Sequence, residues 1–408
     1  MTHDRFEQRR RLLQWLAASP LLPAGFASAA PDIPSKLAEL EAAADLIAKP
    51  EDAINVFDFE PVFRKNVPPA HAGYMYSGID AEVTLKANRA AFDKYYLRPR
   101  RLNDVSKVDM SVELFGVKYP NPICIAPTGG NKAFHPEGEV AVARAAKAGN
   151  HLQILSTVAS SSVEEVTKAR GAPIWFQLYA TSTFNVARQL VQKAERAGCP
   201  VVAITVDRVA GRNQEAFERL KRVDKRVCAD CHKPGSAERA KKLPNYAGVD
   251  ITGLTNMLSS NMDWDFVKRL RDTTKVKIVL KGILTGEDAA LAVSNGIDGV
   301  IVSNHGARSE DSGRATLDVL PEVLDATKGK ITVIVDSGFR RGTDIAKAMA
   351  MGANAVGVGR PYLWGLGAFG EPGVAKVLEI LRTEFRVAMA QSGLRTVKEF
   401  TPAYVGRV

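Results

Sequence analysis

Val201-Val202-Ala203-Ile204-Thr205-Val206 is a run of β-branched and apolar residues that ends on Asp207. It follows an amphipathic stretch, Asn185–Ala197, whose periodicity stops at Gly198. A near-continuous apolar strand is one buried on both faces, as in a parallel sheet, and a helix closed by Gly is its natural crossover. The same pairing recurs on either side. Strands are expected at Ile123–Ala126, Leu152–Ser156, Ile174–Leu178, Lys277–Lys281, Gly299–Ser303, Thr332–Asp336 and Ala355–Gly359, eight with the first. Helices over Glu137–Ala148, Glu287–Asn295 and Thr343–Met351 stop at Gly149, Gly296 and Gly352. Eight such units predict an α/β fold, a (β/α)8 TIM barrel over about 121–370. The rival is an open doubly wound sheet, but no G-x-G-x-x-G follows the first strand, and regular units favour closure.

The chain has 408 residues, 46% apolar and 25% charged, the composition of an ordinary soluble globular protein. Disorder, collagen-like repeats and a multi-span membrane protein are excluded. Four Cys exclude a disulfide scaffold. The formal charge of +10 suits acidic partners such as small carboxylates, a phosphate cofactor or an acidic protein. No nucleic-acid-binding pattern accompanies the charge, so no nucleic acid partner is expected. Residues 31–120 read as an N-terminal helical capping segment. After the fourth strand a long insert, 208–262, breaks the rhythm, and long segments of this kind are usually functional. Within it, 208–247 carries eleven Lys/Arg against five Asp/Glu.

Arg9-Arg10-Arg11 precedes an apolar run, Leu12 to Ala27, that ends in Ala27-Ser28-Ala29. This order predicts a twin-arginine-like signal peptide over 1–29, periplasmic export, and a mature domain over 30–408. A ragged amphipathic helix is the plainer alternative.

The strand ends carry polar residues where packing alone calls for apolar ones. They are Pro127-Thr128-Gly129, Ser156, Gln177, Tyr179, Thr205, Asp207, Lys281, Ser303, His305, Arg308, Asp336, Arg340, Gly359 and Arg360. In a barrel the chemistry sits at these ends, so the ring points to a polar cofactor and an anionic substrate.

Several of these residues stand in motifs: Ile125-Ala126-Pro127-Thr128, Phe176-Gln177-Leu178-Tyr179, Thr205-Val206-Asp207, Leu280-Lys281-Gly282, Ser303-Asn304-His305-Gly306-Ala307-Arg308 and Arg340-Arg341-Gly342-Thr343-Asp344. In this order they resemble the FMN-dependent α-hydroxy acid oxidases and dehydrogenases, over roughly 70–210 and 265–400. The resemblance implies oxidation of a small L-2-hydroxy acid to the 2-oxo acid. It implies His305 as general base, Asp207 as its partner, Arg308 on the substrate carboxylate, and Tyr179 and Tyr74 on the substrate. Tyr76 leaves the register of Tyr74 open. Lys281 would stand beside the flavin N1–O2 edge. Ser156, Gln177 and Thr205 would hydrogen-bond the flavin ring, Asp336, Gly338, Arg340, Gly359 and Arg360 would hold the ribityl chain and phosphate, and Pro127, Thr128, Gly129 and Ser303 would complete the cofactor site. Electrons would pass to a cytochrome or quinone. The alternatives are an oxygen-using oxidase, or an FMN-binding electron-transfer module with weakened catalysis. Family members are often tetramers, which leaves a homo-oligomer open.

The chain departs from the family pattern after Asp207. A second substrate Arg is usual in a Gly-Arg-Arg context, whereas this chain has Gly211-Arg212-Asn213, with a shorter loop before it. Either Arg212 shifts in to serve, or Arg308 acts alone. Gly129 stands where oxidases often carry Ala, and resembles the mandelate dehydrogenase branch. Val158 stands where short-chain members often have Trp, which favours a substrate larger than glycolate.

Cys228-Ala229-Asp230-Cys231-His232 in the insert has the spacing of a haem c attachment site, with His232 as iron ligand and Met257 or Met262 as candidates for the other axial position. A Cys228–Cys231 disulfide, a shared metal site and a chance pair remain open.

Overall fold

The structure is a computed structural model that describes residues 46–226 and 237–408. Its centre is a closed barrel of eight parallel strands. They are β1 (Ile123–Ile125), β2 (Leu152–Ser156), β3 (Trp175–Tyr179), β4 (Val201–Thr205), β5 (Lys277–Ile283), β6 (Gly299–Val302), β7 (Thr332–Val335) and β8 (Ala355–Val358). β8 pairs with β1 through Val356 and Ile123, which closes the ring. All eight expected strands are present, with ends displaced by one or two residues. Helices Gly138–Ala148, Phe184–Arg196, Gly286–Ser294 and Gly342–Met351 fall where the periodicity puts them.

The strands alternate between two cores, because successive side chains on a strand point to opposite faces. Cys124, Ile154, Trp175, Ala203, Val279, Ile301, Ile334 and Ala355 pack together inside the barrel. Ile125, Leu155, Phe176, Ile204, Leu280, Val302, Val335 and Val356 face outward into the shell of helices. This two-sided burial explains why the strands read as unbroken apolar runs.

The same period carries polar groups into the barrel mouth. Stepping by two from Ile154, Trp175, Ala203, Val279, Ile301 and Ile334 reaches Ser156, Gln177, Thr205, Lys281, Ser303 and Asp336. The register sets neighbours of this layer side by side: Ser156 opposite Gln177, Tyr179 opposite Thr205, and Thr205 opposite Lys281.

Among the described residues, the segment before the barrel holds three α-helices, Phe59–Asn66, Pro69–Tyr76 and Val83–Ala90, as a capping segment should. It also holds a hairpin, Val112–Leu114 paired with Val117–Tyr119, that the sequence reading did not separate from the cap. Leu114 and Tyr119 belong to the inner core, and the Phe115 ring meets Trp175 at a tilt with centroids 5.4 Å apart, so the hairpin plugs the end of the barrel opposite the polar layer. Strands of three residues fall below what alternation can signal.

The insert is partly helical, with Glu215–Val223 and Ala237–Lys241 among the described residues. Glu215–Val223 packs on Pro69–Tyr76: Phe217 meets Tyr74 ring-to-ring at 6.3 Å, and Gln214 donates to Ser77 Oγ at 2.8 Å. The Ala70 amide donates to Asp224 at 3.0 Å. The insert thus braces the cap helix that carries Tyr74.

Residues 1–29, with the expected leader, and Cys228, Cys231 and His232 lie outside the described residues. Met257, a candidate axial ligand, is 3% exposed and packed in the outer core, and Met262 packs against that core.

Candidate active site

A cavity opens at the C-terminal ends of the strands. Its wall includes Tyr74, Tyr179, Lys281, His305 and Arg308 on one side. Pro127, Thr128, Gly129, Asp336, Gly338, Arg340, Gly359 and Arg360 complete it. Most residues singled out in the sequence therefore share one pocket, although they come from six of the eight strand ends and the cap.

His305 lies on the loop after β6. Its Nδ1 sits 2.9 Å from Asp207 Oδ1, and its Nε2 lies 3.1 Å from the Tyr179 hydroxyl. With Nδ1–H donating to the carboxylate, Nε2 is left as the acceptor, its lone pair taking the Tyr179 hydroxyl at the cavity wall. Burial pushes the imidazole down to about 4, against the pull of Asp207 in the other direction. Burial also works to raise the Asp207 carboxyl, but His305, Lys281 and Arg208 outweigh it and hold the group below its ordinary value. The pair is an uncharged base held against an ionised carboxylate.

The loop bearing the imidazole is strained. His305, Gly306 and Ala307 have φ of 60°, 67° and 62°, three left-handed residues in succession. For non-glycine residues this costs about 1–3 kcal/mol each unless the surroundings enforce it. Here they do: the amides of His305, Gly306 and Ala307 donate to Ser303 Oγ, Ser337 Oγ and Asn304 Oδ1, each at 3.0 Å. Asn304 is locked by reciprocal amide bonds to Asn88 of the cap, at 2.9 and 2.8 Å. Asn88 was not identified from sequence, because nothing in a helix sequence marks which buried Asn will reach a loop 216 residues away.

Lys281 donates to Ser303 Oγ at 2.8 Å and lies 3.5 Å from Asp336. Burial disfavours the ammonium, yet Asp336 and Asp207 outweigh it and hold its pKa above the ordinary value. Ser156 donates to Gln177 at 3.0 Å, and Gln177 donates to Thr205 at 2.8 Å. These three do not line the cavity; their polar groups satisfy one another just behind its wall.

The register question at the cap resolves onto Tyr74. Its ring lies 4.6 Å from the Arg308 guanidinium and faces the cavity. Tyr76 instead packs under Arg64 at 3.8 Å. The Tyr74 hydroxyl is buried, but Arg308, Arg212, Arg239 and Arg208 outweigh that and lower its pKa. Arg308 donates to the carbonyl of Ser77 at 3.0 Å, while its Nη2 is buried with no partner. Arg212 turns inward and donates to the Arg308 carbonyl at 3.0 Å. Asn213 points away and donates to Glu215 at 3.4 Å. Arg212, not Asn213, thus occupies the side of the site facing Arg308.

The far end of the cavity fits a phosphate. Arg340 and Arg360 are both pushed down to about 10 by burial, and Arg360 further by Arg340 beside it. Among the described residues neither guanidinium lies within ion-pair distance of a carboxylate: Arg360 donates to the carbonyls of Met75 and Gly306, and Arg340 to that of Phe339. Two buried guanidiniums without counterions call for a dianion. Gly338 leaves no room for a side chain here, since its φ is +89° and a Cβ would stand 2.3 Å from the Asn88 carbonyl. At the other end, Lys281 offers its cation where a flavin ring would need one.

A parallel barrel with a phosphate cradle, a buried lysine and a histidine–aspartate pair at one mouth defines a flavin-dependent oxidoreductase. The chain belongs to the FMN-dependent dehydrogenase family, which matches residues 63–407. Glycolate oxidase 1 of Zea mays is 41% identical over 363 residues, 86% of this chain and 95% of the relative. A peroxisomal (S)-2-hydroxy-acid oxidase of Oryza sativa subsp. japonica is 41% identical over 359 residues, with the same coverages. Among solved structures, mandelate oxidase superposes with a TM-score of 0.77 at 33% identity, covering 87% of this chain and 98% of that one.

These relatives correct one expectation. The periplasmic placement rested on a short basic–apolar–small pattern within 1–29. Relatives that match 86–87% of the chain include peroxisomal enzymes of rice and Arabidopsis thaliana. A leader-like composition is a weaker signal than a match of that extent, and the periplasmic assignment falls. The comparisons give no support to haem c.

Proposed function

We propose that the protein oxidises an L-2-hydroxy acid to the 2-oxo acid. The observation that carries this is the His305 Nε2 lone pair, held by Asp207 behind it and facing a cavity that Arg308 and Tyr74 share. FMN, when bound, accepts the two electrons. Lys281 would lie along its ring, and Asp336, Gly338, Arg340 and Arg360 would hold its ribityl chain and phosphate.

The protein's own residues account for binding and proton transfer. Arg308 takes the substrate carboxylate through its unpartnered Nη2, with Tyr74 beside it. Tyr179 hydrogen-bonds the hydroxyl oxygen close to Nε2. Of the two hydrogens lost with the electron pair, His305 takes one as a proton and the other goes with the electrons to the bound FMN, while the Asp207 carboxylate stabilises the imidazolium that forms. The relatives named as oxidases support oxygen as the electron acceptor. Gly129 favours a second reading, a dehydrogenase with a cytochrome or quinone acceptor. It lines the cavity, and a Cβ there would stand 2.5 Å from Val158 Cγ2, so an Ala cannot enter unless Val158 moves.

Anaerobic addition of lactate, glycolate and mandelate tests the function. At least one should bleach the flavin absorbance, and bleaching by none of a broad panel of 2-hydroxy acids refutes it. Mixing the reduced protein with oxygen then decides the acceptor: rapid peroxide formation marks an oxidase, and slow reoxidation a dehydrogenase.

A further inference from the structure

The cap helix Val83–Ala90 touches the loop that carries His305 at both of the loop's ends. Thr84 and Asn88, four residues apart, share one face of it and are 0% and 3% exposed. The Thr84 amide donates to Asp311 Oδ1 at 2.7 Å, and Thr84 Oγ1 accepts from the Gly313 amide at 2.8 Å. One turn on, Asn88 meets Asn304, the residue before His305, and its Oδ1 also accepts from the Thr316 amide at 3.4 Å. Arg89 then pairs with Asp344 at 2.7 Å and donates to the Gly338 carbonyl. One short helix thus holds the loop of the base with one side chain and the phosphate end with the next.

The chemistry needed at position 88 is specific. Asn304 Oδ1 accepts from the Ala307 amide at 3.0 Å, and its Nδ2 donates to the Arg314 carbonyl at 3.1 Å, which fixes the way this amide faces. The group opposite must then donate to the oxygen and accept from the nitrogen. A primary amide does both at once, whereas a carboxylate or an apolar side chain does not. Asn88 supplies two of the four hydrogen bonds of the Asn304 side chain, yet it is not part of the cavity wall.

We propose that Asn88 is a positioning residue for the base: by clamping Asn304 it keeps His305 and Ala307 in their left-handed backbone and Nε2 at the cavity wall beside Tyr179. This rests on the oxidation proposed above and gives a residue outside the site a part in it. Left-handed backbone at non-glycine residues persists only while its surroundings enforce it. Without Asn88 the Asn304 amide is free to turn from Ala307, and the imidazole slips from Asp207 toward solvent.

The test uses the FMN-loaded full chain and reads the imidazole itself. His305 is titrated by NMR, its resonance assigned by its absence from His305→Gln. Asp207 at 2.9 Å, Tyr179 at 3.1 Å and the charges of Lys281 and Arg208 act on it, and Asn88→Ala changes none of them. In the parent, burial holds the group at about 4. In Asn88→Ala it should rise toward its ordinary 6.5, and the acid limb of flavin reduction should rise with it. The rate above that limb should fall about 10–100-fold, the effect of a group misplaced by about 1 Å. Asn88→Ser, a milder change for folding, should act the same way, because one hydroxyl cannot replace both halves of the pair. Asn121→Ala is the control. Asn121 is 2% exposed and accepts from the Ile123 amide at the opposite end of the barrel, so its loss should lower the melting temperature and leave the imidazole in place. An unmoved imidazole in the Asn88 variants, or an equal shift in Asn121→Ala, overturns the assignment. A shifted imidazole in a protein whose flavin no 2-hydroxy acid reduces keeps the positioning role and overturns the oxidation.

Discussion

Asp207 and His305 meet at 2.9 Å although 98 residues separate them. One lies just past β4 and the other just past β6, and Lys281 at the end of β5 stands between them in the ring of strands. Barrel closure, not local sequence, makes the base.

The first prediction follows from that pair. His305→Gln keeps a polar side chain on the loop but removes the proton acceptor. Flavin reduction by the best 2-hydroxy acid should slow by about 10²–10⁴-fold, the usual contribution of a positioned base. Bound FMN should be retained, because the phosphate end lies on Arg340 and Arg360. Anaerobic stopped-flow absorbance measures the rate, and a rate within a factor of a few of the parent removes His305 from the role.

The pH dependence has a definite sign. Burial holds His305 near 4, below its ordinary 6.5. The neutral, proton-accepting form therefore persists down to about pH 4, and the acid limb of the reduction rate should fall there. Between about 4 and 6.5 the unfolded chain binds the proton that the folded chain refuses. This group's contribution therefore makes stability rise with pH across that window and stay level on either side. In Asp207→Asn the anion that favours the imidazolium is gone, so the limb should move lower still. Reduction rates and urea midpoints measured from pH 3.5 to 8 check both signs.

The barrel was legible because eight doubly buried strands leave an apolar signature too regular to mistake. The polar layer was legible for a related reason: Ser156, Gln177, Thr205 and Lys281 interrupt that signature at fixed places. What escaped was tertiary in origin. The Asn88–Asn304 lock and the Phe217–Tyr74 contact join segments more than 100 residues apart, and no local pattern announces either. Ser156, Gln177 and Thr205 were placed on the flavin from sequence, yet in the structure they bond one another first.

Lys281 carries a stability prediction. It and Asp336 are 4% and 8% exposed at the side chain and lie 3.5 Å apart. Lys281→Met strands a buried carboxylate, which costs about 3–5 kcal/mol when one partner of a buried pair is removed. The thermal midpoint should drop clearly. Adding Asp336→Asn should recover much of it, since the charge left behind is then gone. A double variant no more stable than Lys281→Met would show that the ion pair is not the cause.

Arg340 and Arg360 should separate cofactor retention from folding. Among the described residues the Arg340 guanidinium bonds only the carbonyl of Phe339 and stacks 4.8 Å from Trp364, and Arg89 repels it. Arg340→Gln therefore removes a phosphate ligand at little cost to the apoprotein. FMN affinity should fall about 10–100-fold, the worth of one hydrogen bond to a charged group. Arg360 does more, because its donors reach Met75 on the cap and Gly306 beside the catalytic histidine. Arg360→Gln should lose FMN affinity and lower the apoprotein melting temperature together, since two buried carbonyls lose their donors. Fluorescence titration of FMN into apoprotein, paired with thermal melts without FMN, measures the two effects apart. Equal melting temperatures for the two variants would mean that Arg360 does not tie the cap to the loop.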